Sequence, residues 1–251
     1  MEKNPVTQNV NGDGGDHPPA KYPQYLPTWD PKMNCPILGP FKHHERAQHA
    51  DPAMPDLTSH PNAKVKHLTP TTGTEIDGDS LFLQGATNTP RLPGIQLTAL
   101  TASGLDQLSL LCAQRKVLAF RNQDLKDFPM KKIVDWCSYF GRPSIHPTGP
   151  TPAGESRPEI HIAHSGGPDA RLASAWSSRT NSMNWHIDGS VDAQPPGLVF
   201  LYLLEAPETG GDTTFCNTAE LYKRFSEGFK ERLHGLKAEH SDVDLVDRTR
   251  R

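Results

Sequence analysis

His186 and Asp188 are separated only by Ile187 in the stretch 184–214, NWHIDGSVDAQPPGLVFLYLLEAPETGGDTT. On a β-strand, residues i and i+2 point to the same face. An imidazole and a carboxylate placed this way reach one metal ion while Ile187 turns into the opposite layer. Two such ligands and a second histidine make the facial triad that holds non-haem Fe(II) with coordination positions left open. A lone His-x-Asp can equally be a solvated strand pair, so the surrounding chain has to decide. The other histidine groups offer less. HHERAQH, with His43, His44 and His49, reads as a solvated polar turn. A zinc hydrolase built on His161, His164 or His186 finds no HExxH-like helix and no nearby general base.

The elements that must position the pair can be read from spacing. Val65–Leu68 is a short strand, and PTTGTEIDG after it reads as a turn. Leu105, Leu108, Leu111 and Cys112 fall on one helical face, with Thr101 or Ser103 as N-cap. Val117–Phe120 is an apolar run of strand type. Ile133, Trp136, Cys137 and Phe140 repeat at helical spacing, with Gly141 as the stop. EIHIAH is a strand carrying His161 and His164. The polar stretch 165–181 leads into the His-x-Asp strand as a lid or substrate loop. LVFLYLL then reads as a strand buried on both faces, and TTFCN as a short strand. Asn217 with Glu220 gives a capping-box pattern for the helix carrying Leu221, Tyr222 and Phe225, and a further helix stops at Gly235.

Composition bounds the rest. The chain has 251 residues, a formal net charge of −3 and 24 prolines. That charge gives no reason to expect nucleic acid or an anionic membrane as partner. The four cysteines are far apart and form no CxxC, as in a reduced, cytoplasmic protein. Nothing approaches membrane-spanning length. Residues 1–20 read as a disordered tail, 21–62 as an extended Pro-rich arm, 63–240 as the folded domain and 241–251 as an aperiodic tail. Within the domain, 79–94 lacks periodicity and reads as an insertion, either a surface loop or translated intron.

Several ordered motifs together point to a family. WHIDGS, PPGLVFLYLLEAPETGGDTTF and LYKRFSEGFKERLHGLKAEHS resemble the taurine dioxygenase (TauD/TfdA) family of Fe(II)- and 2-oxoglutarate-dependent oxygenases. KVLAFRNQDL and YFGRPSIHP are similar to its strand–turn–helix passage, and KYPQYLPTWDP and KVKHLTPTTGTEIDG resemble its eukaryotic sulfonate-dioxygenase branch. The resemblance implies an α+β fold, a double-stranded β-helix (jelly-roll) core with flanking helices. It implies Fe(II) as cofactor, with His186 and Asp188 as metal ligands, and 2-oxoglutarate and O₂ as co-substrates. Thr213 matches a threonine that hydrogen-bonds the distal carboxylate of 2-oxoglutarate, and His146 a histidine that contacts a sulfonate. Gly149 stands where a tyrosine is expected and Ser182 where an asparagine is expected. Both argue against taurine itself and leave another small anionic substrate. The implied reaction is hydroxylation of an alkyl sulfonate, releasing sulfite, with succinate and CO₂ from 2-oxoglutarate. A homo-oligomer is left open.

The family completes its triad with a second histidine near the C-terminal end, followed by an arginine that clamps 2-oxoglutarate. After Asp188 the chain offers only His234 and His240, in a segment resembling a family region upstream of that pair. His240 with Arg248, Arg250 and Arg251 imitates the spacing but lacks the strand pattern that would return a ligand to the site. The expectation is a jelly-roll incomplete at the C-terminus, with exposed edges and apolar surface. The alternative function is a truncated, non-catalytic family member with at most weak metal and 2-oxoglutarate binding.

Overall fold

The leucine periodicity after Thr101 becomes the longest helix in the computed structural model. In chain order the elements are β1 (Pro27–Thr28), β2 (Lys64–His67), β3 (Thr74–Asp77), α1 (Ala102–Arg115), β4 (Leu118–Phe120), α2 (Met130–Cys137), β5 (Thr151–Pro152), α3 (Thr218–Lys223) and α4 (Glu227–Leu233). The structure describes residues 20–28, 38–61, 63–77, 95–145, 149–155, 157–164, 185–241 and 243. Outside them lie most of the N-terminal tail, the 79–94 segment, the 165–181 loop, His146, Ser182 and most of the 241–251 tail. The chain divides into two units, one of residues 42–141 and 203–238, the other of 1–41, 142–202 and 239–251.

In the first unit, Thr101 caps α1, its hydroxyl accepting the Gly104 N–H at 3.3 Å. Leu105, Leu108 and Leu111 are buried along one face, as their spacing requires. Gln107 is buried with them and satisfied by Asp56. Its Oε1 accepts the Asp56 backbone N–H, and its Nε2 donates to Asp56 Oδ2, each at 2.9 Å. Lys116 takes φ +68° and ends the helix, turning the chain into β4.

β2, β3 and β4 form a three-stranded sheet in that order, β2–β3 antiparallel and β3–β4 parallel. α1 is the crossover that a parallel pair needs. This corrects one expectation: TEID is not part of a turn but the central strand. Thr74 and Ile76 are buried and alternate with half-buried Glu75 and Asp77, the pattern of a strand covered on one face. Only 69–73 turns.

α2 ends at Cys137, short of Gly141, because Ser138 and Tyr139 close it with turn bonds to Val134 and Trp136. Phe140 lies beyond the helix yet is buried, edge-on to Trp136 at 5.4 Å. Trp136 Nε1 donates to the Leu97 carbonyl at 3.1 Å, so both aromatics serve the core, as their spacing suggested.

Burial pushes the Cys137 thiol up to about 11 and raises Cys112 as well, whereas Cys216 is exposed. The thiolate is the reactive form, so a raised pKa means slower alkylation near neutral pH. Among these three, Cys216 is expected to react with iodoacetamide first, with Cys112 and Cys137 at least about tenfold slower. Peptide mass spectrometry over a time course checks the order. Faster labelling of Cys137 than of Cys216 would contradict this packing.

In the second unit, a 3-10 turn at Pro23–Tyr25 leads into the two-residue strand β1. β1 pairs antiparallel with β5, Pro27 opposite Pro152 and Thr28 opposite Thr151. HHERAQH, in the first unit, is a polar turn, with His44 and His49 stacked at 5.6 Å. Four other strand expectations fail. Residues 159–164, 185–188, 198–204 and 213–217 form no strand. In 198–204 the consequence is plain: Val199, Phe200, Leu201 and Leu203 are 59%, 43%, 62% and 68% exposed rather than buried on two faces. An apolar run becomes a buried strand only where neighbouring strands cover it and complete its ladder, and no sheet among the described residues includes this one. No described helix is long and apolar enough to cross a membrane.

Candidate metal centre

His186 and Asp188 do come together, by a different route from the one their spacing suggested. The backbone at 185–187 is irregular and 188–191 is a turn, so strand alternation does not apply. His186 Nε2 nevertheless lies 3.2 Å from Asp188 Oδ1, with the side chains 74% and 58% exposed. Two ligands in adjacent positions on one ion, each about 2.1 Å from it, stand roughly 3 Å apart. One nitrogen and one carboxylate oxygen at that separation fit an ion such as Fe(II), and the exposure leaves its other positions open. Among the described residues, no third histidine, cysteine, aspartate or glutamate joins them.

The turn is set by Gly189. Ser190 N–H bonds the Ile187 carbonyl at 3.3 Å and Asp192 N–H the Gly189 carbonyl at 3.0 Å, with Gly189 at φ +61°. That conformation favours glycine. A Cβ here would also meet Pro196 Cδ at 2.8 Å and Asp192 Oδ2 at 3.1 Å. His-x-Asp-Gly is therefore one local device, with the glycine reversing the chain directly after Asp188.

Two anchors hold the reversed segment. Gln194 Oε1 accepts the Phe41 N–H at 2.7 Å, and Arg142 lies over the Phe41 ring at 4.9 Å while donating to the Gly39 carbonyl. Ser144 Oγ donates to Asp192 Oδ2 at 3.3 Å. Sequence reasoning missed Gln194, because its partner lies 153 residues away and an isolated glutamine carries no local pattern. His240, set aside as a ligand, has Nδ1 3.0 Å from Ser190 Oγ, two residues beyond Asp188.

Thr213 belongs to the other unit, in the exposed segment 205–216, after two glycines of positive φ, Gly210 at +81° and Gly211 at +73°. His146 lies outside the described residues. His161 and His164 are exposed. Tyr222 O–H and His234 Nε2 are 3.0 Å apart, on the helical segment that contains α3 and α4.

Comparison with known proteins bears on this centre. The family model described as taurine catabolism dioxygenase TauD, TfdA family, matches residues 64–249. An alpha-ketoglutarate-dependent dioxygenase of Penicillium expansum, cnsM, is 35% identical over 245 residues, covering 97% of this chain and 61% of that protein. An alpha-ketoglutarate-dependent sulfonate dioxygenase of Saccharomyces cerevisiae is 35% identical over 236 residues, covering 92% of this chain and 53% of its own length. An alkylsulfatase of Acinetobacter baylyi is 35% identical over 154 residues, 60% of this chain and 43% of that one. The chain thus spans about three-fifths or less of the length of these relatives. No solved structure gives a significant match.

Proposed function

Since the chain belongs to the TauD/TfdA dioxygenase family, we propose that it is an Fe(II)- and 2-oxoglutarate-dependent dioxygenase hydroxylating a small anionic substrate, an alkyl sulfonate before others. The observation that carries this reading is the His186–Asp188 pair, held at 3.2 Å by a turn that requires Gly189. His186 supplies a neutral nitrogen and Asp188 a negatively charged oxygen, the mixed donor set that suits a non-haem iron. Fe(II), when bound, supplies the oxygen chemistry that couples decarboxylation of 2-oxoglutarate to hydroxylation of a C–H bond.

The other roles belong to the chain. Thr213 offers a hydroxyl donor to the distal carboxylate of 2-oxoglutarate, replacing the water that the carboxylate gives up. His146 holds the substrate anion. The frame expected of the family is a jelly-roll. The relatives include a sulfonate dioxygenase and a sulfate ester dioxygenase. A sulfonate and a sulfate ester share a compact oxyanion that a histidine can recognise.

Anaerobic titration of the 251-residue chain with Fe(II) and 2-oxoglutarate tests the reading. A visible metal-to-ligand charge-transfer band is expected, followed on admitting O₂ by succinate and, with an alkyl sulfonate, by sulfite. No band and no 2-oxoglutarate binding would overturn it. In the same assay, His146→Ala is expected to raise the KM for the sulfonate about tenfold, the loss of one charge-assisted contact. Iron and 2-oxoglutarate binding should stay unchanged. An unaltered KM would remove His146 from the substrate site.

A further inference from the structure

The segment carrying Thr213 has a definite end. Residues 205–216 are all exposed, and Asn217 is the first position after them to be half-buried. Its carboxamide does two jobs. Oδ1 accepts the Glu220 N–H at 3.2 Å and caps α3, while Nδ2 donates to Thr72 Oγ1 at 2.9 Å.

Thr72 is a rigid post. The Thr69 hydroxyl and Thr72 backbone close the 69–73 turn on itself, at 2.5 Å to the Thr72 carbonyl and 2.9 Å from its N–H. Arg115, the last residue of α1, then fastens the turn from outside. Its guanidinium donates to the Pro70 carbonyl at 2.9 Å, the Thr69 carbonyl at 2.7 Å, the Gly73 carbonyl at 2.9 Å and Thr74 Oγ1 at 2.7 Å. One planar fork therefore ties helix, turn and central strand together. The Asn217 bond reaches across 145 residues to join this assembly, and all of it lies within one unit.

We propose that Thr72 and Asn217 form a positioning tether for the Thr213 segment, so that affinity for 2-oxoglutarate depends on a hydrogen bond outside the binding site. The inference rests on the reading of Thr213 as a 2-oxoglutarate contact. Its physical basis is preorganisation. An exposed segment anchored four residues beyond the contact loses less conformational freedom when the co-substrate orders it. Thr72 and Asn217 are positioning residues and need not touch the co-substrate.

The test is a set of variants of the full chain, read by anaerobic 2-oxoglutarate titration and by hydrogen–deuterium exchange over 211–217. Thr72→Val removes the hydroxyl and keeps the shape. It is expected to weaken 2-oxoglutarate binding about two- to tenfold, one hydrogen bond's worth, and to speed exchange in 211–217. Fe(II) affinity and kcat should stay unchanged, and the melting temperature should fall only by what one lost hydrogen bond accounts for. Thr72→Ser keeps the hydroxyl and should restore both readouts. Asn217→Ser keeps the helix cap but is too short to reach Thr72. It should match Thr72→Val, and the double variant should be no worse than either single one. Unchanged affinity and exchange in Thr72→Val, with the unaltered chain binding normally, would overturn the tether. No 2-oxoglutarate binding by the unaltered chain would instead bring down the Thr213 reading, and this inference with it.

Discussion

Replacing Asp188 by alanine is expected to weaken Fe(II) binding by more than about 100-fold. Loss of a residue that merely supports a ligand costs 10–100-fold, and Asp188 is proposed as a ligand itself. It also brings the only negative charge of the pair, so the ion would retain a single neutral nitrogen from His186. Asp188→Asn keeps the shape but removes the charge, and is expected to lose most of the affinity. Asp188→Glu keeps the charge one methylene farther out and should lose the least of the three. The side chain is 58% exposed, so none of these changes should move unfolding stability by more than about 0.5 kcal/mol. Anaerobic Fe(II) titration against a competing chelator reads the affinity, and thermal melts of the metal-free protein check the fold. An alanine variant binding iron within about threefold of the unaltered chain would remove Asp188 from the centre.

The closeness of His186 and Asp188 was legible in the sequence for a reason that differs from its geometry. The His-x-Asp spacing predicts a strand pair, and what joins the two side chains is a turn whose third position needs Gly189. The residue types sufficed and the secondary structure did not. Helices fared better than strands. The Leu105–Leu108–Leu111 face and the Asn217 cap are local patterns, and a helix satisfies its backbone within itself. A strand depends on what lies beside it, often far along the chain. TEID, which reads as part of a turn after PTTG, is the central strand because β2 and β4 flank it. Residues 198–204 went the other way. The long-range bonds Asn217–Thr72 and Gln194–Phe41 were invisible for the same reason, since each joins residues more than 140 positions apart.

That apolar run carries the second large expectation, concentration-dependent self-association of the isolated chain. Val199, Phe200, Leu201 and Leu203 are 43–68% exposed over five consecutive positions, and a fully buried side chain of this kind is worth about 1.5–3 kcal/mol. Two copies covering the run against each other would gain roughly 10 kcal/mol, while association costs an estimated 4–15 kcal/mol in lost freedom. Gain and cost are of the same order. At the low end of that cost about 6 kcal/mol remains, so the result should be a population that grows with concentration from tens of micromolar upward rather than a permanent dimer. Glutamates at Val199 and Leu201 remove apolar area and add like charge to both copies, so the V199E/L201E chain should stay monomeric at least about tenfold higher in concentration. Sedimentation velocity across a dilution series reads both. An unaltered chain that remains monomeric at the highest concentration, or a double variant that associates equally well, would show that the run does not drive association. A run that does associate would be apolar surface left exposed in the single chain, the cost of a strand sequence with no sheet among the described residues to enter.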